Sequence, residues 1–453
     1  MRRKNKGSSF AALGVFALII GAVIYVYTSE MFERETPQIS MQNSGYWNLK
    51  SPLEIAINDA SGLKAYKVIL KTPSEESVLY HEQFLTPNKT VNVKVEPPKS
   101  VHTMKESDIK IIVEAQDASK WNFFAGNSSV SEYALKIDKK RPIVNTVANS
   151  YKIKKGGVAL VVFKAEDENL KELYIETNFG KRFIAQPFYK EGYYIALLAW
   201  PILQESFRAT VFVEDNAGNK AQAPIPLYLQ DAQYQVSNIN ITDSFLKGKI
   251  AELSEEFDET QGVSDDIERF KIINETIREK NEKLIYEITS KVPQEMLSDF
   301  KVNKMYPLKN AAVVARFGDH RIYSYAEKDI SESYHMGIDL ASNAMADIRP
   351  QNGGEIVFNG YNGLYGNMPI IHHGLGLYTL YGHCSTVNVN VGDVISSGMN
   401  IANTGKSGYA MGDHLHFGIL VQGIEVRPDE WMDESWIKLN INDVINNAKT
   451  LIK

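Results

Sequence analysis

The strongest constraint on how this chain can fold comes from His414-Leu415-His416 together with His335-Met336-Gly337-Ile338-Asp339, about eighty residues earlier. In an extended segment side chains alternate with a period of two, so His414 and His416 share one face. The apolar, β-rich run Phe417-Gly418-Ile419-Leu420-Val421 that follows predicts a strand. His335 and Asp339 are four apart and share a face whether the local backbone is strand or helix. Two imidazoles and one carboxylate form a zinc set with an open fourth position, the arrangement of a catalytic site rather than a structural one. Only three such ligands are needed, which leaves one of these histidines for another task.

The chain has nine histidines, and seven of them (His320, His335, His372, His373, His383, His414 and His416) fall between Asp319 and Phe417. A lone histidine is usually a surface or satisfied core residue. Clustering of this kind, with His-x-His and His-x-x-x-Asp both present, favours a metal site.

At 453 residues the chain is too long for one core and predicts three or more domains. Its hydrophobic fraction of 44% and charged fraction of 23% are those of ordinary globular protein. A net charge of −6 without a long basic run speaks against nucleic acid as a partner. Arg2, Arg3, Lys4 and Lys6 precede an uncharged stretch whose apolar heart, Phe10–Tyr27, reaches about 27 Å as a helix, enough for a thin bilayer. No small-x-small cleavage site follows it, and Tyr25 and Tyr27 sit at its end like interfacial anchors. The expectation is an uncleaved anchor in the inner membrane, with the basic N-terminus cytoplasmic and the bulk outside the cytoplasm. Cys384 is the only cysteine, so no intrachain disulfide can form; its expected role is to fill an apolar slot rather than to act as a nucleophile.

The predicted organisation is a basic tail (1–9), a transmembrane segment (10–28), a stalk (29–45), two β domains (46–141 and 142–232), a helical region (233–304), a metal domain (305–430) and a C-terminal helix (431–453). Ala65–Leu70, Ile109–Ala115, Val158–Lys164 and Ala209–Val213 are short strands at sandwich-like spacing. A faint repeat relates residues 58–66 to 166–174 and 113–117 to 211–215, offsets of about one sandwich domain. Asp215-Asn216-Ala217-Gly218-Asn219 resembles the closing hairpin of bacterial immunoglobulin-like modules, so tandem immunoglobulin-like sandwiches are expected, as spacers or as docking surfaces for a protein partner. In the helical region Ile267, Phe270, Ile273, Ile277, Leu284 and Ile288 mark one helix face, opened by Asp265 with Glu268 three positions on. That face is expected to pack against a neighbouring domain. A final amphipathic segment, Asp433–Ile452, is expected to pack back on the body.

From Met305 to Asp429 many glycines separate short strands, as in a compact antiparallel sheet. Tyr334-His335-Met336-Gly337-Ile338-Asp339-Leu340-Ala341, then Tyr365-Gly366-Asn367, Tyr381-Gly382-His383 and His414-Leu415-His416-Phe417-Gly418 resemble the lysostaphin/LytM-type zinc endopeptidases, which cut peptide crosslinks of bacterial peptidoglycan. Val391-Gly392-Asp393-Val394-Ile395-Ser396-Ser397-Gly398 is similar to a hairpin of that family. The resemblance covers about 125 residues, with four motifs in order. It implies that His335, Asp339 and His416 bind Zn²⁺, and that His383 and His414 flank the water activated there. The chain departs from the family pattern at Met345–Pro350, at Cys384 in place of leucine, and at Asp413 in place of proline. A carboxylate at 413 either orients an imidazole or faces solvent in a turn.

The resemblance implies a zinc endopeptidase acting on peptidoglycan stem peptides and crosslinks, and the N-terminal segment would anchor it to the membrane. A single anchor and no recognisable wall-binding repeat suggest the periplasm, where the available link is D-alanine to diaminopimelate. The alternative is a non-catalytic activator of cell-wall amidases or an envelope scaffold; such a domain is expected to have lost one or more of the five residues, and all five are present.

Overall fold

The computed structural model describes residues 6–42, 45–98 and 107–452. Arg2, Arg3 and Lys4 of the expected basic tail lie outside the described residues. The apolar run forms one helix, Lys6–Thr28, and none of residues 10–28 is buried. An exposed apolar helix of this length is what a single-pass anchor or a signal sequence requires. The chain divides into two compact units: 1–142 with 167–171 and 214–220, and 143–166 with 172–213 and 221–453.

The first unit is built on one continuous six-stranded sheet, where two stacked sheets were expected. Its order is Gln38–Met41, Leu53–Lys71, Asp108–Asp117, Ser128–Ile137, Tyr46–Trp47, with Glu76–Val95 also on Leu53–Lys71. Ile109, Ile111, Val113 and Ala115 alternate inward and pack with Ile55, Ile57 and Val68, the period-2 pattern of a half-buried strand. The long strand loses register between Asn58 and Leu63, and such an irregularity bends a strand. Gly62 sits there at φ +86°, with Pro87 so near that a Cβ would lie 2.7 Å from it. The repeat reappears as two matching corners. Asp117 accepts hydrogen bonds from the backbone and side-chain amides of Asn127 (2.7 and 2.8 Å), and Asp215 does so from Asn219 (2.8 and 2.9 Å).

The second unit opens with two four-stranded sheets. One runs Gln186–Pro187, Tyr193–Ala199, Val158–Glu166, Ile143–Asn149; the other Arg182–Phe183, Leu170–Thr177, Ala209–Asp215, Lys220–Pro224. Val158–Phe163 is buried on both faces because the C-terminal helix Asp443–Ile452 packs on this sheet, as expected of that amphipathic segment. Glu430 supports the same strand: its carboxylate accepts from the Val158 amide at 3.0 Å. Burial pushes the Glu430 carboxyl up to about 8, against the opposing pull of Arg427. The unfolded side chain ionises near 4.5. The folded state therefore keeps a proton that the unfolded chain has already lost across that window, and stability falls as pH rises from about 4.5 to about 8. Thermal unfolding of Glu430→Gln should show a shallower decline over this range than the wild type; an unchanged slope would refute the assignment.

Residues 233–304, expected to be helical, begin with a strand, Val236–Asn240, which runs parallel to His320–Tyr325 and in register with it from Val236↔His320 to Asn240↔Ser324. The helices that follow include Asp266–Lys271, a wider π turn at Ile272–Ile277, and Arg278–Thr289. Asp265 caps the first, accepting from the Ile267 and Glu268 amides at 2.8 and 3.0 Å. The buried face begins as expected with Phe270, Ile273 and Ile277, but then Ile285 is buried and Leu284 exposed. A π turn holds an extra residue, so it shifts the face that follows by about one position. These side chains share one core with Tyr323, Leu364, Met368, Ile370, Tyr378, Leu380 and Leu420.

The metal domain's main sheet has eight strands. Seven lie in the order Ala312–Ala315, Ile338–Ala341, Leu415–Val421, Leu377–Gly382, Asn367–His372, Gly354–Tyr361, Val394–Ile395, and Ile424–Val426 pairs with Leu415–Val421. The pairings are antiparallel, as expected. Within the expected 391–398 hairpin, Val394–Ile395 pairs with Gly354–Glu355 rather than with its own neighbours.

Candidate metal centre

Sheet register brings the central residues together. Asp339 lies directly opposite His416 across an antiparallel pair, and Gly382 flanks His416 on the other side. His335 follows the strand Lys328–Tyr334 and is fixed by its amide, which donates to the Asp319 carbonyl at 3.0 Å. Gly337 lets the chain pass close to His416: a Cβ there would lie 2.5 Å from His416 Nε2. His383 ends the strand Leu377–Gly382 at φ +64°, its amide donating to the Tyr365 carbonyl at 2.8 Å. His414 bridges to Gly405 just before the next strand.

His335 Nε2 and His416 Nδ1 each stand 3.0 Å from Asp339 Oδ1 and 3.1 Å from one another. His335 Nδ1 donates to the Arg316 carbonyl at 2.9 Å, so in a neutral ring Nε2 presents a lone pair to the other two atoms. A single proton can bridge only one of the three pairs. Bonds of about 2.0–2.1 Å to a tetrahedral cation set such ligand atoms about 3.3 Å apart, so the trio fits a divalent ion with little movement. Burial pushes the Asp339 carboxyl up, but the adjacent His335 and His416 outweigh it and hold the group well below the usual carboxylate range. Burial lowers His416 to about 4, with Asp339 opposing.

The other two imidazoles flank this trio. His414 Nε2 is 3.8 Å from Asp339 Oδ1, and the ring centroids of His383 and His414 are 4.7 Å apart. His383 Nδ1 donates to the Ser407 carbonyl and His414 Nδ1 to the Gly412 carbonyl, both at 2.8 Å. Each neutral ring therefore has Nε2 free as a proton acceptor. Burial lowers His383 to about 3, with His414 and His416 adding to the shift, so it is neutral near pH 7. All five residues line one cleft of about 230 Å³.

The structure brings the five candidates into one site, and it decides two smaller questions. Asp413 orients no imidazole. Its oxygens accept from the Thr404 hydroxyl at 2.6 Å and the Met345 amide at 3.1 Å, pinning the loops that depart from the family pattern. Cys384 is fully buried, and burial pushes its thiol up to about 12, which leaves it inert. Tyr365, from the motif Tyr365-Gly366-Asn367, meets the His416 ring edge-on at 5.4 Å, while Arg278, which arrives from the helical region, had no sequence signal.

A family model described as peptidase family M23 matches residues 333–428, which hold all five histidine and aspartate positions. This part of the chain is an M23 peptidase domain. Among curated proteins, this chain is 37% identical over 94 residues to a DD-carboxypeptidase/endopeptidase Mpg of Neisseria meningitidis serogroup B, covering 21% of this chain and 22% of that one. It is also 27% identical over 111 residues to the murein hydrolase activator EnvC of Escherichia coli K12, covering 24% and 26%. These matches span about a quarter of each relative's length. A solved structure of a putative M23 peptidase from Pseudomonas aeruginosa aligns over 62% of this chain and 95% of its own, at 17% identity and a TM-score of 0.39.

Proposed function

We propose that the chain is a membrane-anchored, zinc-dependent endopeptidase that hydrolyses peptide crosslinks of bacterial peptidoglycan, with the D-alanine–diaminopimelate link as substrate. The observation that carries this is the convergence of His335 Nε2, Asp339 Oδ1 and His416 Nδ1, beside two further imidazoles with free acceptor nitrogens.

In this proposal those three atoms hold the ion. Bound zinc supplies a Lewis acid for the scissile carbonyl and lowers the pKa of water. His383 and His414 take the proton of the attacking water on Nε2 and return it to the leaving amine, which balances the hydrolysis. The imidazolium formed in between also stabilises the tetrahedral oxyanion. A domain that only activated another hydrolase would have no need of five such groups in working geometry. The N-terminal helix serves as an inner-membrane anchor with the bulk in the periplasm, and the two β regions as spacers or docking surfaces for a protein partner.

The test is mass spectrometry of sacculus digests treated with full-length protein in detergent, with and without chelator. Crosslinked dimers should fall and monomers rise only when zinc is available. Unchanged dimers at saturating zinc would refute an enzymatic role.

A further inference from the structure

Arg278 reaches the cleft from outside the M23 region, at the start of the helix Arg278–Thr289. Its guanidinium is held in place before any ligand arrives. Nε donates to the Asn274 carbonyl at 3.0 Å, and Nη2 to Asn274 Oδ1 at 2.9 Å. Asn274 is itself buried, and its Nδ2 donates to Ser331 Oγ at 2.8 Å and to the Glu332 carbonyl at 3.1 Å. One edge of the fork is thus tied down, while Nη1 and the second Nη2 hydrogen are left for the cleft.

Among the described residues Arg278 forms no ion pair. Arg321 lines the same cleft and leans on Asp319 at 3.4 Å. Asp339 is the only carboxylate lining this cleft, and it is committed to the histidine trio. Glu282, one turn on, feels the Arg278 charge but makes no ion pair with it and does not line the cleft. A fixed guanidinium with no carboxylate in contact, facing a cleft lined by one committed carboxylate, is built to receive an anion. Planar, two-point pairing makes a carboxylate the natural one.

The geometry points to Arg278 as a specificity-determining residue that binds a free carboxylate of the peptide substrate, with Arg321 adding to the positive field. The inference deepens the proposed function and rests on it. In a D-alanine–diaminopimelate link, the carbon bearing the leaving amine also bears a free carboxylate. Fixing that group would fix the scissile amide between the metal trio and the His383–His414 pair.

The test compares a crosslinked dimer carrying that carboxylate with the same dimer amidated there. Zinc-loaded wild type, Arg278→Ala and Arg278→Lys are used in full length, with metal content measured for each. For the free-carboxylate dimer, Arg278→Ala should raise KM about 10- to 100-fold with kcat changed much less, and Arg278→Lys should recover part of the loss. For the amidated dimer the wild type should already bind weakly, and Arg278→Ala should alter KM less than about twofold.

Equilibrium binding in a His383→Ala background separates this inference from the enzymatic one. If no variant cleaves but the background still prefers the carboxylate dimer, and loses that preference with Arg278→Ala, Arg278 is upheld and the endopeptidase assignment fails. Equal preference with and without Arg278, or no binding of either dimer by the wild type, overturns the inference. Should Arg278→Ala unfold, as judged by melting, Asn274→Ala is substituted for it, since it removes the Oδ1 tether of the fork while keeping the guanidinium; the KM ratio between the two dimers should then shrink, and an unchanged ratio overturns the inference.

Discussion

His416→Ala is expected to abolish stoichiometric metal binding. His416 Nδ1 is one of three atoms that meet 3.0–3.1 Å apart, and the removal leaves only His335 Nε2 and Asp339 Oδ1. Loss of groups that merely orient a zinc ligand already costs about 10–100-fold in affinity, so loss of a ligand should cost at least about 100-fold. No neighbour can replace it from its present position: His414 Nε2 stands 3.8 Å from Asp339 Oδ1 with its other nitrogen engaged by Gly412. Competition titration against a zinc chelator measures this directly. One tightly bound equivalent in His416→Ala, at wild-type affinity, would show that the trio is not the metal site.

His383→Ala should do the opposite, keeping zinc and losing turnover. His383 is outside the trio, with a ring-centroid separation of 5.9 Å from His416, and its Nδ1–H is spent on Ser407. What disappears is the Nε2 acceptor, kept unprotonated by burial that lowers the ring to about 3. Positioned general acid–base groups contribute about 10²–10⁴-fold, so kcat on crosslinked dimers should fall by about that factor at unchanged zinc content. Turnover at the wild-type rate would move the proton-transfer role to His414 alone.

Some of this was written locally in the chain. Asp339 and His416 face each other because each sits in a short apolar strand, and alternation then sets which side chains point to the cleft. The Asp265 cap and the exposed N-terminal helix follow equally from local pattern. Other features had no local signature. The pairing of Val236–Asn240 with His320–Tyr325 joins segments more than eighty residues apart, and a strand of alternating polar residues gives no hint of its partner. Leu284 and Ile285 changed places because one π turn altered the helical phase upstream, which a fixed 3.6-residue period cannot anticipate. Arg278 is one charge among many in a helical segment rich in Glu and Lys, with no local mark of its own. Its meaning depends on tertiary packing that places the helix start beside Tyr365 and Tyr409.

The shared core of helices and M23 sheet bears on how this domain should be dissected. A fragment starting at residue 333 would uncover Leu364, Met368, Ile370 and Leu420, which now rest against Phe270, Ile273 and Ile277, and would strip Ala312–Ala315 from the edge of Ile338–Ala341. Such a cut lays a greasy wall and an unpaired strand edge open to water, an invitation to clump. The smallest fragment expected to stay soluble therefore begins ahead of Val236, because the helices complete the core on which the M23 domain rests.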